Sequence, residues 1–152
     1  MRTTDENTMV SKAVAGQIRD RMKAEGLRIT PQRFAVYNSL LSRTDHPTVD
    51  QILDTINEEI PIASKASVYS ALNILREVGL VREVLLEAGV TRYDANVSSH
   101  HHFVCQGCGA IADIPWDVLS DRLDLSKIPA PLHATSYEIT VQGLCADCHC
   151  EA

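Results

Sequence analysis

The chain has 152 residues, 45% of them hydrophobic, and a formal net charge of −6. That length suffices for one core or two small ones, and no apolar run is long enough to cross a bilayer, so no membrane association is expected. The polar, acidic start "MRTTDENTMV" lacks the apolar stretch of a secretory signal; the expected address is cytoplasmic, where the five cysteines are thiols or metal ligands rather than disulfides.

The first half is punctuated as helices. In "SKAVAGQIRDRMKAEGLR" Val14, Ile18 and Met22 recur every four residues, and Gly26 can end the helix in the left-handed conformation. Thr30 then offers an N-cap with Pro31 at the first helical position, and Phe34, Tyr37, Leu40 and Leu41 form one stripe. Thr48 and Gln51 have capping-box spacing ahead of a helix whose buried face is marked by Val49, Ile52, Leu53, Ile56 and Ile60, closed by Pro61. Ser64 opens a further helix with Val68, Ala71, Leu72, Leu75 and Val78 facing inward and Gly79 as its stop. The period then changes. "LVREVLL", a turn at Glu87-Ala88-Gly89 and "VTRYD" predict a two-stranded hairpin, so three short helices and a hairpin predict a winged helix-turn-helix.

Periodicity alone is equally compatible with a small helical bundle that binds nothing. The outward face of the helix after Ser64 favours DNA, because Ser64, Lys65, Ser67, Tyr69, Ser70 and Asn73 place short or polar side chains near a helix N-terminus. Charge is uneven in the same sense. Residues 1–43 carry eight Lys/Arg against four Asp/Glu, residues 44–63 carry five acids and no base, and residues 95–152 carry two bases, Arg122 and Lys127, against seven acids. A basic first segment fits a DNA-facing surface, although such runs are also what ordinary solvated faces carry.

After "ANVSS" the texture becomes α+β. His101 to Val104 and Ala110 to Ile114 are strand-like, "WDVLSDRLDLSKI" predicts an amphipathic helix, and "ATSYEITVQGL" predicts a longer strand. The boundary falls near Ala95 to Ser99, giving a DNA-binding domain over 1–95 and a second, zinc-containing domain over 96–152.

Two Cys-x-x-Cys knuckles, Cys105/Cys108 and Cys145/Cys148, stand 36 residues apart. Four thiolates make a closed tetrahedral site that suits structural Zn²⁺ and leaves no position for a substrate, with Gly107 and Gly109 supplying the tight turn. The alternatives are redox pairs or packing cysteines. Cys150 lies beyond this set as a spare thiol.

In a strand, His100 and His102 share one face while His101, Phe103 and Cys105 share the other, which separates the histidine pair from the cysteines. A solvated loop would also tolerate three histidines. Two on one face, however, call for further ligands, and Asp94 at the end of the wing, Asp113, and His46 in the "DHPT" loop are candidates. Three imidazoles and two carboxylates suit Fe²⁺ or Mn²⁺, and would also bind Zn²⁺.

"LRITPQR", "HPT", "SVYSALNILREVGLV", "TRYD", "HHHFVCQGCG" and "CADC", in this order and spacing from about Lys23 to Cys148, resemble the ferric uptake regulator (Fur) family. The resemblance implies a dimeric bacterial repressor of double-stranded DNA operators. Each subunit would have an N-terminal winged helix and a C-terminal α/β dimerisation domain, and a regulatory metal bound between the two would hold the DNA-binding shape. In the peroxide-sensing (PerR) branch the regulatory ligands fall on positions matching His46, Asp94, His100, His102 and Asp113, whereas iron sensors typically carry Glu where this chain has Asp94 and Asp113. The resemblance therefore implies that Fe²⁺ and hydrogen peroxide together add oxygen to His46 or His100, after which metal and DNA are released; Mn²⁺ would support repression without sensing. It also places Arg28 as a minor-groove contact. Iron-, manganese- or zinc-responsive repression is the alternative within the family.

Two departures stand out. His101 replaces a residue often Asp in iron sensors, and Tyr137 replaces a histidine many members carry, which implies that a further metal site of those relatives is absent or altered here. Ser70 replaces a residue that is often Arg or Asn, so the operator is not carried over. An enzyme, such as a zinc hydrolase or deaminase, needs an open zinc position and a general base; four cysteines close the shell, and no H-x-E precedes a P-C-x-x-C.

Overall fold

In the computed structural model, which describes residues 4–59, 61, 63–87 and 89–150, the helices of the first half start and stop where side-chain caps and glycines dictate. The chain divides into two units, Met1–Val97 and Ser98–Ala152.

In the first unit, α1 (Thr4–Ala24) ends at Gly26, whose φ of 70° lets the Leu27 N–H bond back to the Met22 carbonyl at 2.9 Å and satisfy the helix end. Thr30 accepts from the Arg33 N–H at 3.2 Å and starts α2 (Pro31–Leu41). Before α3 (Val49–Glu59), the Gln51 side chain accepts from the Thr48 N–H at 3.0 Å and the Thr48 hydroxyl accepts from the Gln51 N–H at 3.3 Å. Ser64 and Ser67 make the same reciprocal cap for α4 (Lys65–Glu77), which Gly79 terminates. The wing is an antiparallel pair, β1 (Arg82–Glu87) and β2 (Val90–Asp94), with Arg82 opposite Asp94 and an irregularity between Val84 and Glu87. Ile60, expected on the buried face of α3, and Ala88, expected in the wing turn, lie outside the described residues.

The core of this unit joins Ile18 and Met22 of α1, Tyr37 and Leu40 of α2, Ile52 of α3 and Leu72 and Leu75 of α4 with Val81 and Tyr93 around the wing. Each fully buried aliphatic side chain stabilises the fold by about 1.5–3 kcal/mol. Val14 was expected in the same row but is 41% exposed. Residues four apart drift about 40° around a helix of 3.6 residues per turn, so Val14 is about 80° away from Met22. The result is a winged helix-turn-helix.

The second unit is a three-stranded sheet in the order β4-β3-β5. Central β3 (His100–Cys105) pairs antiparallel with β4 (Ile111–Pro115) and parallel with β5 (Thr140–Gly143). Two expectations need correction here. The helix expected from Trp116 to Ile128 is a single turn, α5 (Trp116–Leu119), continued by a 3₁₀ turn at Ser120–Arg122 and followed by a separate one at Leu125–Lys127. Asp124 is extended and its carboxylate accepts from the Ser126 N–H, an alternative to helical hydrogen bonding, while Val118, Leu123 and Leu125 remain exposed and offer no buried stripe to hold a longer helix. The last strand begins only at Thr140, because the residues before it make isolated bonds rather than a ladder. A short helix, α6 (Ala146–Cys150), ends the described chain. With helices in the first unit and mainly strands in the second, the class is α+β. Among the described residues no helix is long and apolar enough to cross a membrane.

Candidate metal centres

Parallel strands end on the same side of a sheet, which is why two distant knuckles meet. Cys105 at the end of β3 stands opposite Gly143 at the end of β5, and each strand runs directly into its Cys-x-x-Cys turn. The four Sγ atoms of Cys105, Cys108, Cys145 and Cys148 lie within 4.8 Å of one another. Cys108 and Cys145 are 3.8 Å apart, close to the edge of a tetrahedron with Zn–S bonds of about 2.3 Å. Gly107 is sterically required: a Cβ there would stand 2.8 Å from Cys148 Sγ.

The Cys105 thiol is lowered to about 6, first by the Cys145 N–H, 3.3 Å from its sulfur, and then by the Cys108 N–H. Cys148 is pushed up to about 12 by hydrogen bonding to the sulfurs of Cys145, Cys105 and Cys108. Four sulfurs this close cannot all shed their protons unaided, and a divalent, thiophilic cation that takes them as thiolates fits the set. Cys150 is exposed and unbridged.

The histidines and aspartates are divided between the units. In the second unit, β3 alternation puts His100 and His102 on one face, and Asp113 of β4 is the register partner of His102. Their Nε2 atoms are 3.1 Å apart, with Asp113 Oδ1 3.4 Å from the first and 3.8 Å from the second. In the first unit His46 Nε2 lies 3.3 Å from Asp94 Oδ2.

All three rings are oriented through Nδ1. That of His46 is 3.0 Å from the Thr44 carbonyl, that of His100 is 2.8 Å from the Ser98 carbonyl, and that of His102 is 2.7 Å from Glu138 Oε1. Carbonyl and carboxylate oxygens accept, so these partners assign a proton to Nδ1, and in a neutral ring the lone pair then falls on Nε2, the atom near the aspartates. Two neutral rings so turned would set lone pairs against each other beside a carboxylate, and a cation with a taste for imidazole and oxygen would remove the repulsion. The backbone has been bent to present His46. Its φ of 53° lies in the left-handed region, which costs a side chain with a Cβ about 1–2 kcal/mol. Arg92 donates to its carbonyl at 3.2 Å and the Tyr93 N–H to the Pro47 carbonyl at 3.0 Å, fastening the loop to β2.

On the first unit Arg28, Lys65, Tyr69 and Asn73 are exposed. Lys65 Nζ is 2.8 Å from Asp50 Oδ1, and reaching a phosphate requires opening this exposed, solvent-screened pair. The Ser67 hydroxyl is committed elsewhere: it accepts from the Ser64 N–H and donates to the Ser64 carbonyl.

Sequence reasoning missed Glu138. Alternation in "SYEITV" separates it from Tyr137 and Ile139, but only the register of β5 against β3 shows that it meets His102. The two departures, His101 and Tyr137, join Trp116 in a ring cluster. His101 stacks on Trp116 at 4.5 Å and on Tyr137 at 5.9 Å.

Residues 24–140 match the ferric uptake regulator family. The chain is 31% identical over 127 residues to the peroxide-responsive repressor PerR of Staphylococcus aureus, spanning 84% of this chain and 86% of that protein. Its fold resembles that of the Helicobacter pylori ferric uptake regulator Fur, at 22% identity and a TM-score of 0.70, covering 91% of this chain and 93% of that one. The Campylobacter jejuni peroxide stress regulator is also similar, at 27% identity and a TM-score of 0.64, covering 88% and 97%.

Proposed function

The chain belongs to the ferric uptake regulator family, and on that premise we propose that it is a peroxide sensor whose regulatory metal is held jointly by its two units. It is a metal-binding, DNA-binding repressor and not an enzyme. His46 and Asp94 from the first unit, with His100, His102 and Asp113 from the second, are assigned to Fe²⁺ or Mn²⁺; Cys105, Cys108, Cys145 and Cys148 are assigned to structural Zn²⁺. The observation that carries this reading is the common orientation of three imidazoles, each bonded through Nδ1 with Nε2 turned toward an aspartate.

Asp94 ends β2 and His100 begins β3. A metal shared between them would couple the setting of the DNA-binding unit, residues 1–95, to occupancy. When bound, ferrous iron would supply cleavage of the peroxide O–O bond, in which an adjacent imidazole gains one oxygen and loses two electrons in all while the other oxygen leaves as water. His46 and His100 are the rings assigned to receive the added oxygen. An oxidised ring is a poorer nitrogen donor, so the two units lose their shared anchor and DNA is released. The short carboxylates Asp94 and Asp113 favour this over iron, manganese or zinc sensing, as does likeness to a relative named for its peroxide response.

On the DNA side α4 is assigned to the major groove, with Tyr69 and Asn73 toward bases and Lys65 toward phosphate, and Arg28 is assigned to the minor groove. Ser67 is kept as the helix cap that sets the N-terminus of α4 against the duplex. Residues 96–152 are assigned to homodimerisation, supported by the exposure of Val118, Leu123, Leu125 and Leu132 on the second unit. A repressor of this kind works in the cytoplasm, where its operator is.

The test uses a DNA element selected from a random library by the Mn²⁺-loaded protein. Peroxide is expected to release the Fe²⁺ protein and spare the Mn²⁺ protein. Equal retention of both on DNA would assign the chain to metal-responsive repression instead.

A further inference from the structure

Two of the three histidines give their Nδ1 proton to a carbonyl two residues earlier, Thr44 for His46 and Ser98 for His100. Those contacts are local and come with the loop. His102 is different: its Nδ1 faces a carboxylate oxygen of Glu138, 36 residues further along the chain.

That contact depends on the sheet. His102 stands opposite Thr140 in the parallel pair, and its N–H donates to the Ile139 carbonyl at 3.0 Å. The Ile139 N–H donates to His101 Nδ1 at 3.2 Å. On the other side of Glu138, the Tyr137 ring packs on Trp116 at 4.7 Å and its hydroxyl donates to the Ser120 carbonyl at 3.2 Å. The chain is therefore tied down on both sides of Glu138, and its carboxylate is delivered to a fully buried ring.

We propose that Glu138 is a positioning residue that fixes His102 with Nε2 toward His100 and Asp113 and makes it the strongest nitrogen donor of the set. This rests on the assignment of His102 as a ligand made above. A carbonyl partner fixes tautomer and orientation only. A carboxylate does both and also stabilises positive charge on the ring, which raises its donation to a bound cation. Glu138 lies on the Nδ1 side of the ring, away from Nε2, so it acts through His102. β5 carries Glu138 just before its start and leads from its end into Cys145, so the same strand serves both centres.

The experiment measures Mn²⁺ affinity of zinc-replete wild type, Glu138→Gln, Glu138→Ala and His102→Ala, with zinc content as the check on folding. In parallel, proton–nitrogen NMR of the zinc-replete, manganese-free protein reads the His102 tautomer without any regulatory metal. Wild type is expected to hold the proton on Nδ1. Glu138→Ala is expected to lose that fixed tautomer and to bind Mn²⁺ about 10–100-fold more weakly. Glu138→Gln, which keeps an acceptor but not the charge, should lose less, and His102→Ala should lose the most. Unchanged affinity in Glu138→Ala beside a crippled His102→Ala overturns the role of Glu138 and leaves the ligand assignment standing. Unchanged affinity in His102→Ala removes the ligand assignment instead; Glu138 is then judged by the tautomer, and a ring fixed identically in Glu138→Ala overturns it.

Discussion

The cysteine cluster and the histidine–aspartate set are built on opposite plans. The cysteines are four identical soft ligands, all from the second unit, brought together by two parallel strands that end side by side. The other set mixes imidazole with carboxylate, and its members come from both units, His46 and Asp94 from one and His100, His102 and Asp113 from the other. A cluster closed within one unit can only stabilise that unit. Were one metal to take ligands from both units, as proposed, the relation of the units would depend on it. On the proposed assignment, placement along the chain, as much as ligand chemistry, separates a structural role from a regulatory one.

The widest gap between the two should appear on removing one ligand from each. Cys108→Ser is expected to abolish tight zinc binding, a contribution of roughly 10 kcal/mol or more to folding, and with it the C-terminal fold and the dimer. Metal analysis and sedimentation check this, and a zinc-free protein with an intact dimer would sink the structural role. Asp94→Ala should leave zinc and dimer untouched while weakening Mn²⁺ by about 10–100-fold. Asp94→Glu keeps charge and donor but moves the oxygen outward by one methylene; Mn²⁺ repression should survive and peroxide sensitivity should fall, as seen by DNA binding before and after peroxide.

Gly107→Ala sharpens the contrast from the steric side. Its Cβ would meet Cys148 Sγ at 2.8 Å, so a loss of about 1–3 kcal/mol is expected in thermal unfolding of the zinc form, with no change in Mn²⁺ affinity. The smallest effect serves as a control. Ser64→Ala removes the cap of α4 and should cost about 1 kcal/mol, visible in denaturant midpoint, without altering either metal stoichiometry.

What the sequence made legible follows from how local each determinant is. Caps and stops at Thr30, Ser64, Gly26 and Gly79 act within a few residues and were readable. So was the His100/His102 face, since alternation in a strand needs no partner. The segment after Trp116 was not. Its apolar spacing suggested a helix, but Val118, Leu123 and Leu125 stay exposed rather than forming a buried stripe, and Asp124 offers the backbone another bond. Glu138 was out of reach for a related reason: its contact with His102 depends on strand register across 36 residues. The left-handed backbone at His46 is likewise set by Arg92 and Tyr93, far along the chain.

The most direct test of the divided set as a peroxide sensor is mass spectrometry of peptides from the zinc-replete, Fe²⁺-loaded protein after hydrogen peroxide. One added oxygen on the peptide carrying His46 or His100 is expected, absent when Mn²⁺ replaces Fe²⁺ and absent in Asp94→Ala. Unmodified His46 and His100 in a protein that has been released from DNA by peroxide would contradict it.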